Sequence, residues 1–271
     1  MPSDKAGAAA NPYTKSMRVL RDRQECLSYR MTRFSYAALS VLLIGLVACR
    51  LAPLGTDQPT APSEASSARP SARVPAPVMS SHGADWLERP ERETEEQPEL
   101  VLDAMALRQG QTVAEIGCGT GYFARRMARR VAPTGKVYAV DIQPEMLVML
   151  EALVKKEGVS NLTPILGGET DPRLPRKSID WVLLVDVYHE FQKPQPMLAK
   201  IRESLGPGGK VALVEYRREG ESASHIKFEH RMSVEQVRAE WEAGGFKIVA
   251  VDESLKSQHI FILEAAAPRS Q

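Results

Sequence analysis

From about residue 100 to residue 264, short unbroken apolar runs alternate with stretches in which apolar residues recur every third or fourth position. Strands covered on both faces and amphipathic helices produce those two rhythms. Val113-Ala114-Glu115-Ile116 predicts a buried strand, and Ala124, Met127, Ala128 and Val131 mark the inward face of a helix starting near Tyr122. A second strand is expected over 136–140, ending in Asp141, followed by a helix over 144–156 with Met146, Leu147, Leu150 and Val154 inward. Residues 162–166 predict a third strand, and the apolar run 180–186 a central fourth. A helix near 196–205, a turn at Gly206-Pro207-Gly208-Gly209 and a fifth strand over 210–216 follow. A helix over 233–243 with Ser233 as its cap, then strands over 246–251 and 259–263, complete the series. Strictly alternating elements predict an α/β domain built on a parallel sheet.

Upstream the pattern changes. Residues 1–30 read as disordered or as a mis-assigned start, with Met31 an alternative first residue. Residues 34–49 carry no charge, and their apolar core is too short for a comfortable membrane span but suits a signal-peptide h-region. Leu46-Val47-Ala48-Cys49 resembles the lipobox of bacterial lipoproteins, which implies a membrane-anchored lipoprotein of the cell envelope, facing the periplasm and lipidated at Cys49. A simple apolar anchor, or a helix packed on a cytoplasmic protein, stays open. Residues 50–81, rich in Pro, Ala and Ser, are expected to form a disordered tether. Residues 82–110 should form an N-terminal segment and helix, with Trp86 and His82 as candidate lid residues and Glu95, Glu96 and Glu99 as a solvated first turn. The domain proper is expected over 111–266, with a short tail after it.

Composition narrows the chemistry. The 271-residue chain has a formal net charge of +1, which gives no reason to expect a nucleic-acid partner. The Arg125-Arg126 and Arg129-Arg130 pairs read as an exposed helix face. Three cysteines, Cys26, Cys49 and Cys118, support neither a disulfide framework nor a zinc cluster.

The strongest motif is Gly117-Cys118-Gly119-Thr120-Gly121, between the first strand and its helix. Residues without side chains let backbone N–H groups approach a ligand, and the helix N-terminus favours negative charge. A dinucleotide fingerprint wants glycine at its first, third and sixth positions. Counted from Gly117 the sixth is Tyr122, which argues against a dehydrogenase.

VAEIGCGTGYF, Val140-Asp141, VLLVDVYHEF and LGPGGKVALVEY together resemble the class I S-adenosylmethionine-dependent methyltransferases, nearest to the ubiquinone and menaquinone C-methyltransferase type. The resemblance implies a Rossmann-like doubly wound sheet of seven strands, mostly parallel, the last antiparallel, with helices on both faces. It implies S-adenosyl-L-methionine as cofactor and a small-molecule or lipid-like acceptor. Glu115 would meet the cofactor's amino group, Gly117, Gly119 and Gly121 would cradle its amino-acid portion, and Cys118 would pack within that loop. Asp141 would bind the ribose hydroxyls, the alternative being a cap for the following helix. Ile142 would pack on adenine, and Glu169 or Asp171 would accept from the adenine amino group. Asp186, Tyr188, His189 and Glu190 fall just past the fourth strand, at the carboxyl edge where open α/β sheets bind ligands. Asp186 is therefore grouped with the cofactor residues, and His189 is a candidate base for deprotonating an acceptor. No metal site is expected, because Asp186, His189 and Glu190 with His225 or His230 lack a regular ligand spacing. An exported, anchored protein that keeps the fold for ligand binding without catalysis is the alternative reading.

Overall fold

A computed structural model describes residues 73–267. The expected start, the signal with Cys49, and the tether as far as residue 72 lie outside the described residues. No helix among the described residues is long and apolar enough to cross a membrane.

The seven expected strands form: β1 (Thr112–Ile116), β2 (Lys136–Asp141), β3 (Leu162–Leu166), β4 (Ile179–Val185), β5 (Leu205–Arg217), β7 (Phe246–Asp252) and β8 (Gln258–Ala265). A two-residue strand, β6 (Arg231–Met232), adds to the edge of β5. The main order is β3-β2-β1-β4-β5-β8-β7, in which only β8 runs antiparallel to its neighbours. Helices α1 (Ala84–Leu87), α2 (Arg92–Glu95) and α3 (Pro98–Met105) precede the sheet. Helices α4 (Tyr122–Val131), α5 (Pro144–Glu157), α6 (Pro194–Ser204) and α7 (Val234–Ala243) connect its strands.

Alternate residues of each central strand feed two apolar layers. Val113, Val137, Leu183 and Val214 pack with Phe123, Met127 and Leu150 on one face. Ala114, Val140, Leu184 and Leu213 pack with Leu198, Ile201 and Trp241 on the other. Each fully buried large side chain contributes roughly 1.5–3 kcal/mol, so the two layers fix the register that places the strand tips. Ser233 caps α7 as expected, its hydroxyl accepting from the Gln236 N–H at 3.1 Å.

Four expectations are corrected. The turn at 206–209 is absorbed into β5: Leu205 pairs with Ile179, the register slips, and pairing resumes with Lys210 opposite Trp181. Glu95, Glu96 and Glu99 do not share one first turn, because Gln97 adopts a left-handed conformation (φ 44°) that separates α2 from α3. Glu96 is not solvated; it is buried against Arg92 at 2.8 Å. Arg125 is likewise buried, paired with Glu88 and Glu157, while Arg126 and Arg130 pair with Glu93, Glu99 and Asp103. Arg125, Arg126 and Arg130 therefore knit α4 to the N-terminal segment, while Arg129 is exposed and pairs with Glu157 of α5.

The fourth correction concerns residues 73–81, expected as the end of a tether. They lie against the domain because Arg73 supplies three hydrogen bonds to main-chain carbonyls, those of Tyr188, His189 and Phe191. Ala76, fully buried, donates its N–H to the His189 carbonyl at 3.0 Å.

Candidate active site

The glycine loop follows from β1 and β2 pairing in parallel. At the tip of β1, the N–H groups of Gly117 and Cys118 both donate to the Val140 carbonyl, at 2.8 and 3.0 Å, which turns the chain sharply. Gly117 has φ 73°, and a Cβ there would lie 2.3 Å from Val187 Cγ2. Backbone conformation and lack of space thus both demand glycine. Cys118 packs beneath the loop, and burial raises its thiol pKa far above the ordinary value, which disfavours the nucleophilic thiolate.

Above the carboxyl ends of β1, β2 and β4 lies a cavity of about 510 Å³. Gly117, Gly119, Asp141, Ile142, Glu169, Asp186 and His189 all line it, so the structure gathers seven of the sequence-predicted residues. Asp141 is fixed by both oxygens: Oδ2 accepts the Gly119 N–H at 2.8 Å and Oδ1 the Gln143 N–H at 2.9 Å. The Oδ1 contact goes to Gln143, itself the N-cap residue of α5, so Asp141 does not cap that helix and stays on the cavity wall. Burial raises its pKa, opposed by those N–H groups. Ile142 presents an apolar side chain 44% exposed. Glu169 lines the cavity and pairs with Lys193 at 3.2 Å, whereas Asp171 turns back to the Arg173 N–H at 2.7 Å.

Three predicted residues do not line the cavity. Gly121 and Cys118 support the loop from below, Gly121 as the left-handed residue preceding α4. Glu115 points into the core: it accepts the Ala124 N–H at the start of α4, and its Oε2 is buried without a partner. Burial pushes its pKa up to about 8, against the pull of the Ala124 N–H and of Arg92. Glu115 thus stands under the loop rather than on the cavity wall, with Oε2 free of any partner.

At the inner end of the cavity, β4 runs into Asp186, held at φ 49°. Its Oδ2 accepts from Gln258 Nε2 at 2.7 Å, and its Oδ1 is buried without a partner. Burial, then Glu96 and Glu215, raise its pKa well above the usual carboxylate range. A 3₁₀ turn, Tyr188–Glu190, follows. Here the buried His189 ring lies with Nδ1 at 2.6 Å from Glu215 Oε2 and Nε2 at 3.0 Å from His230 Nδ1. Burial alone would lower the His189 pKa, but the Glu215 carboxylate more than offsets it. Glu190 also lines the cavity, its Oε1 accepting the Met79 N–H at 3.1 Å, and burial raises its pKa to about 7.

Sequence reasoning missed Glu215, a charged residue inside the apolar run Val211-Ala212-Leu213-Val214 and fully buried on β5. An acid in a doubly covered strand must have a partner, and that rule could have found it. The paired Arg92 and Glu96, which line the cavity from the N-terminal side, were missed as well.

Trp86 and Leu87 close over the loop from α1. Trp86 lines the cavity with the Arg89 guanidinium stacked 3.3 Å from its ring centroid, and Leu87 Cδ1 occupies the space that a Cβ on Gly119 would need, at 2.6 Å. Trp86 lines the cavity, whereas His82 bonds to Ser80 at 2.9 Å, outside it.

Residues 113–209 match a family described as a methyltransferase domain. A protein-L-isoaspartate O-methyltransferase of Methanothrix thermoacetophila is 30% identical over 114 residues, 42% of this chain and 51% of that one. A ubiquinone/menaquinone biosynthesis C-methyltransferase of Ralstonia pickettii is 32% identical over 117 residues, 43% of this chain and 48% of that one. The chain thus spans about half the length of these curated relatives. The crystal structure of an S-adenosylmethionine-dependent methyltransferase from Aquifex aeolicus superposes with a TM-score of 0.65 at 25% identity, covering 69% of this chain and 98% of that one.

Proposed function

From a chain whose domain belongs to the class I S-adenosylmethionine-dependent methyltransferases, with S-adenosylmethionine as cofactor, we propose an enzyme that methylates a small-molecule or lipid-like acceptor held at the inner end of the cavity. The observation that carries this reading is the convergence of Gly117, Gly119, Asp141 and Asp186 on one cavity.

The residues present fit the cofactor. When bound, it supplies a methyl group on a cationic sulfur, transferred by in-line displacement. Gly119 leaves the loop free of side-chain atoms, and Asp141 keeps lone pairs for two vicinal hydroxyls beyond its two backbone bonds. Asp186, which lines the same cavity, keeps its buried Oδ1 without a partner, an acceptor available to a cationic or N–H donor. Ile142 supports an apolar ring edge, and Glu169 rather than Asp171 is in position for an exocyclic amine.

The chain's remaining task is to orient an acceptor and exclude water, for which proximity is the main source of rate. The N-terminal segment with Trp86, together with His225, Ile226, Lys227 and His230, walls the acceptor end. An acceptor that must lose a proton finds His189 there, with Nδ1 engaged by Glu215 and Nε2 directed at His230.

Incubating the full-length protein with methyl-labelled S-adenosylmethionine and bacterial membrane or metabolite extracts tests the proposal. Label entering an extractable product, and lost in Asp141→Ala, is expected. Bound cofactor with no transfer from any extract would contradict it.

A further inference from the structure

We propose that His189, His230 and Glu190 form a binding site for one divalent transition-metal ion at the acceptor end of the cavity. One ligand atom from each lies within 4.8 Å of the other two. All three residues line the same cavity. Two imidazoles and a carboxylate on one side of a pocket form a facial set that leaves the remaining coordination positions open.

The geometry around the imidazoles suits a shared cation. At metal–ligand distances of about 2.1 Å, cis ligands of an octahedron stand about 3.0 Å apart. His189 Nε2 and His230 Nδ1 are 3.0 Å apart. Behind His189, Glu215 Oε2 lies 2.6 Å from Nδ1, and Oε1 of the same carboxylate accepts the N–H groups of Tyr188 and His189 at 2.9 and 3.3 Å. A carboxylate that takes the Nδ1 proton fixes the tautomer whose Nε2 lone pair faces the site, the arrangement that accompanies metal-bound histidines. Glu190 Oε1 accepts the Met79 N–H, and one oxygen of its carboxylate stands within 4.8 Å of a ring nitrogen of each histidine.

Charge points the same way. Glu96, Asp141, Glu169, Asp186 and Glu190 face the cavity, against Arg92 and Lys227. Sequence spacing conceals the site because His230 comes from the turn Phe228–His230, 41 residues after His189. The open positions face the space assigned to the acceptor, so an acceptor oxygen such as a phenol, enol or carboxylate is the chemistry the ion would take. That last assignment rests on the methyltransferase reading; the metal site itself does not.

Untagged full-length protein, stripped with a chelator, is titrated with Zn²⁺ by calorimetry and with Co²⁺ by visible absorption. One equivalent should bind, with a Co²⁺ ligand-field band. His230→Ala and Glu190→Gln should each weaken binding at least tenfold, and Glu215→Gln should weaken it by about 10–100-fold with unchanged circular dichroism. His82→Ala, which lies outside the cavity and leaves the three ligands in place, should bind as wild type. Absence of saturable binding by either ion, or affinity indifferent to His189→Ala and His230→Ala, would overturn the site. S-adenosylmethionine binding by the same stripped protein is measured in parallel; its loss would count against the methyltransferase reading alone.

Discussion

Glu215 holds His189 from behind: one carboxylate oxygen meets the ring Nδ1 at 2.6 Å while the other receives the backbone N–H groups of Tyr188 and His189. One fully buried side chain on β5 therefore sets both the imidazole and the turn that carries it. Replacing Glu215 by Gln keeps an acceptor for the two backbone groups but offers His189 an N–H₂ in place of a carboxylate oxygen. The ring should then accept at Nδ1 and carry its proton on Nε2. Two-dimensional ¹⁵N–¹H spectra of histidine-labelled, metal-free protein, recorded above the pH at which the His189 signals are seen to titrate, should show the tautomer reversed. The same tautomer in both proteins would contradict the arrangement.

Arg73 fastens the N-terminal segment across the site, with three carbonyl contacts and an ion pair to Glu240 at 3.1 Å. Its side chain is 8% exposed, so the contacts are worth more than those of a surface pair. Arg73→Ala should cost about 2–3 kcal/mol. Hydrogen exchange of the Ala76 amide should accelerate at least tenfold while β1 amides keep their protection. Unchanged Ala76 exchange would mean that the segment is held by something else.

Glu115 makes stability depend on pH. Its folded-state pKa is raised to about 8, so the folded protein retains a proton that the unfolded chain releases near pH 4.5. Stability contributed by the neutral carboxyl is present below about pH 4.5 and is lost progressively as pH rises to about 8. The full loss is on the order of 4 kcal/mol. Denaturant melts of Glu115→Gln should show a much shallower fall between pH 5 and pH 8. Parallel curves for variant and wild type would show that Glu115 does not titrate in this window.

Gly117 is required by Val187. Gly117→Ala should destabilise the protein by at least 1–3 kcal/mol, since the Cβ meets Val187 Cγ2 at 2.3 Å and φ is 73°. Adding Val187→Ala should recover only part of that loss, because the backbone penalty persists. Complete rescue in thermal melts would leave packing as the sole cause.

The strand and helix pattern was legible in the sequence because period and turn chemistry are local. So was the loop with Asp141: glycines at alternate positions and an acid at the next strand tip require no tertiary knowledge. What escaped were pairings across long separations. Glu215 reaches His189 over 26 residues, His230 reaches it over 41, and Arg73 reaches the His189 carbonyl over 116. Arg125 was misread for a related reason, since a helix pattern shows which side is polar but not that Glu88 and Glu157 cover it. Glu115 looked like a ligand contact because it ends the first strand, yet it stands beneath the loop.

The Gly117–Asp141 cradle should bind S-adenosylmethionine. Calorimetric titration of the full-length protein tests it most directly. One cofactor per chain should bind at micromolar concentrations, and Asp141→Ala should weaken binding at least tenfold, as expected for losing a carboxylate that accepts two charge-assisted hydrogen bonds. No saturable binding at millimolar cofactor, or equal affinity in Asp141→Ala, would contradict the account.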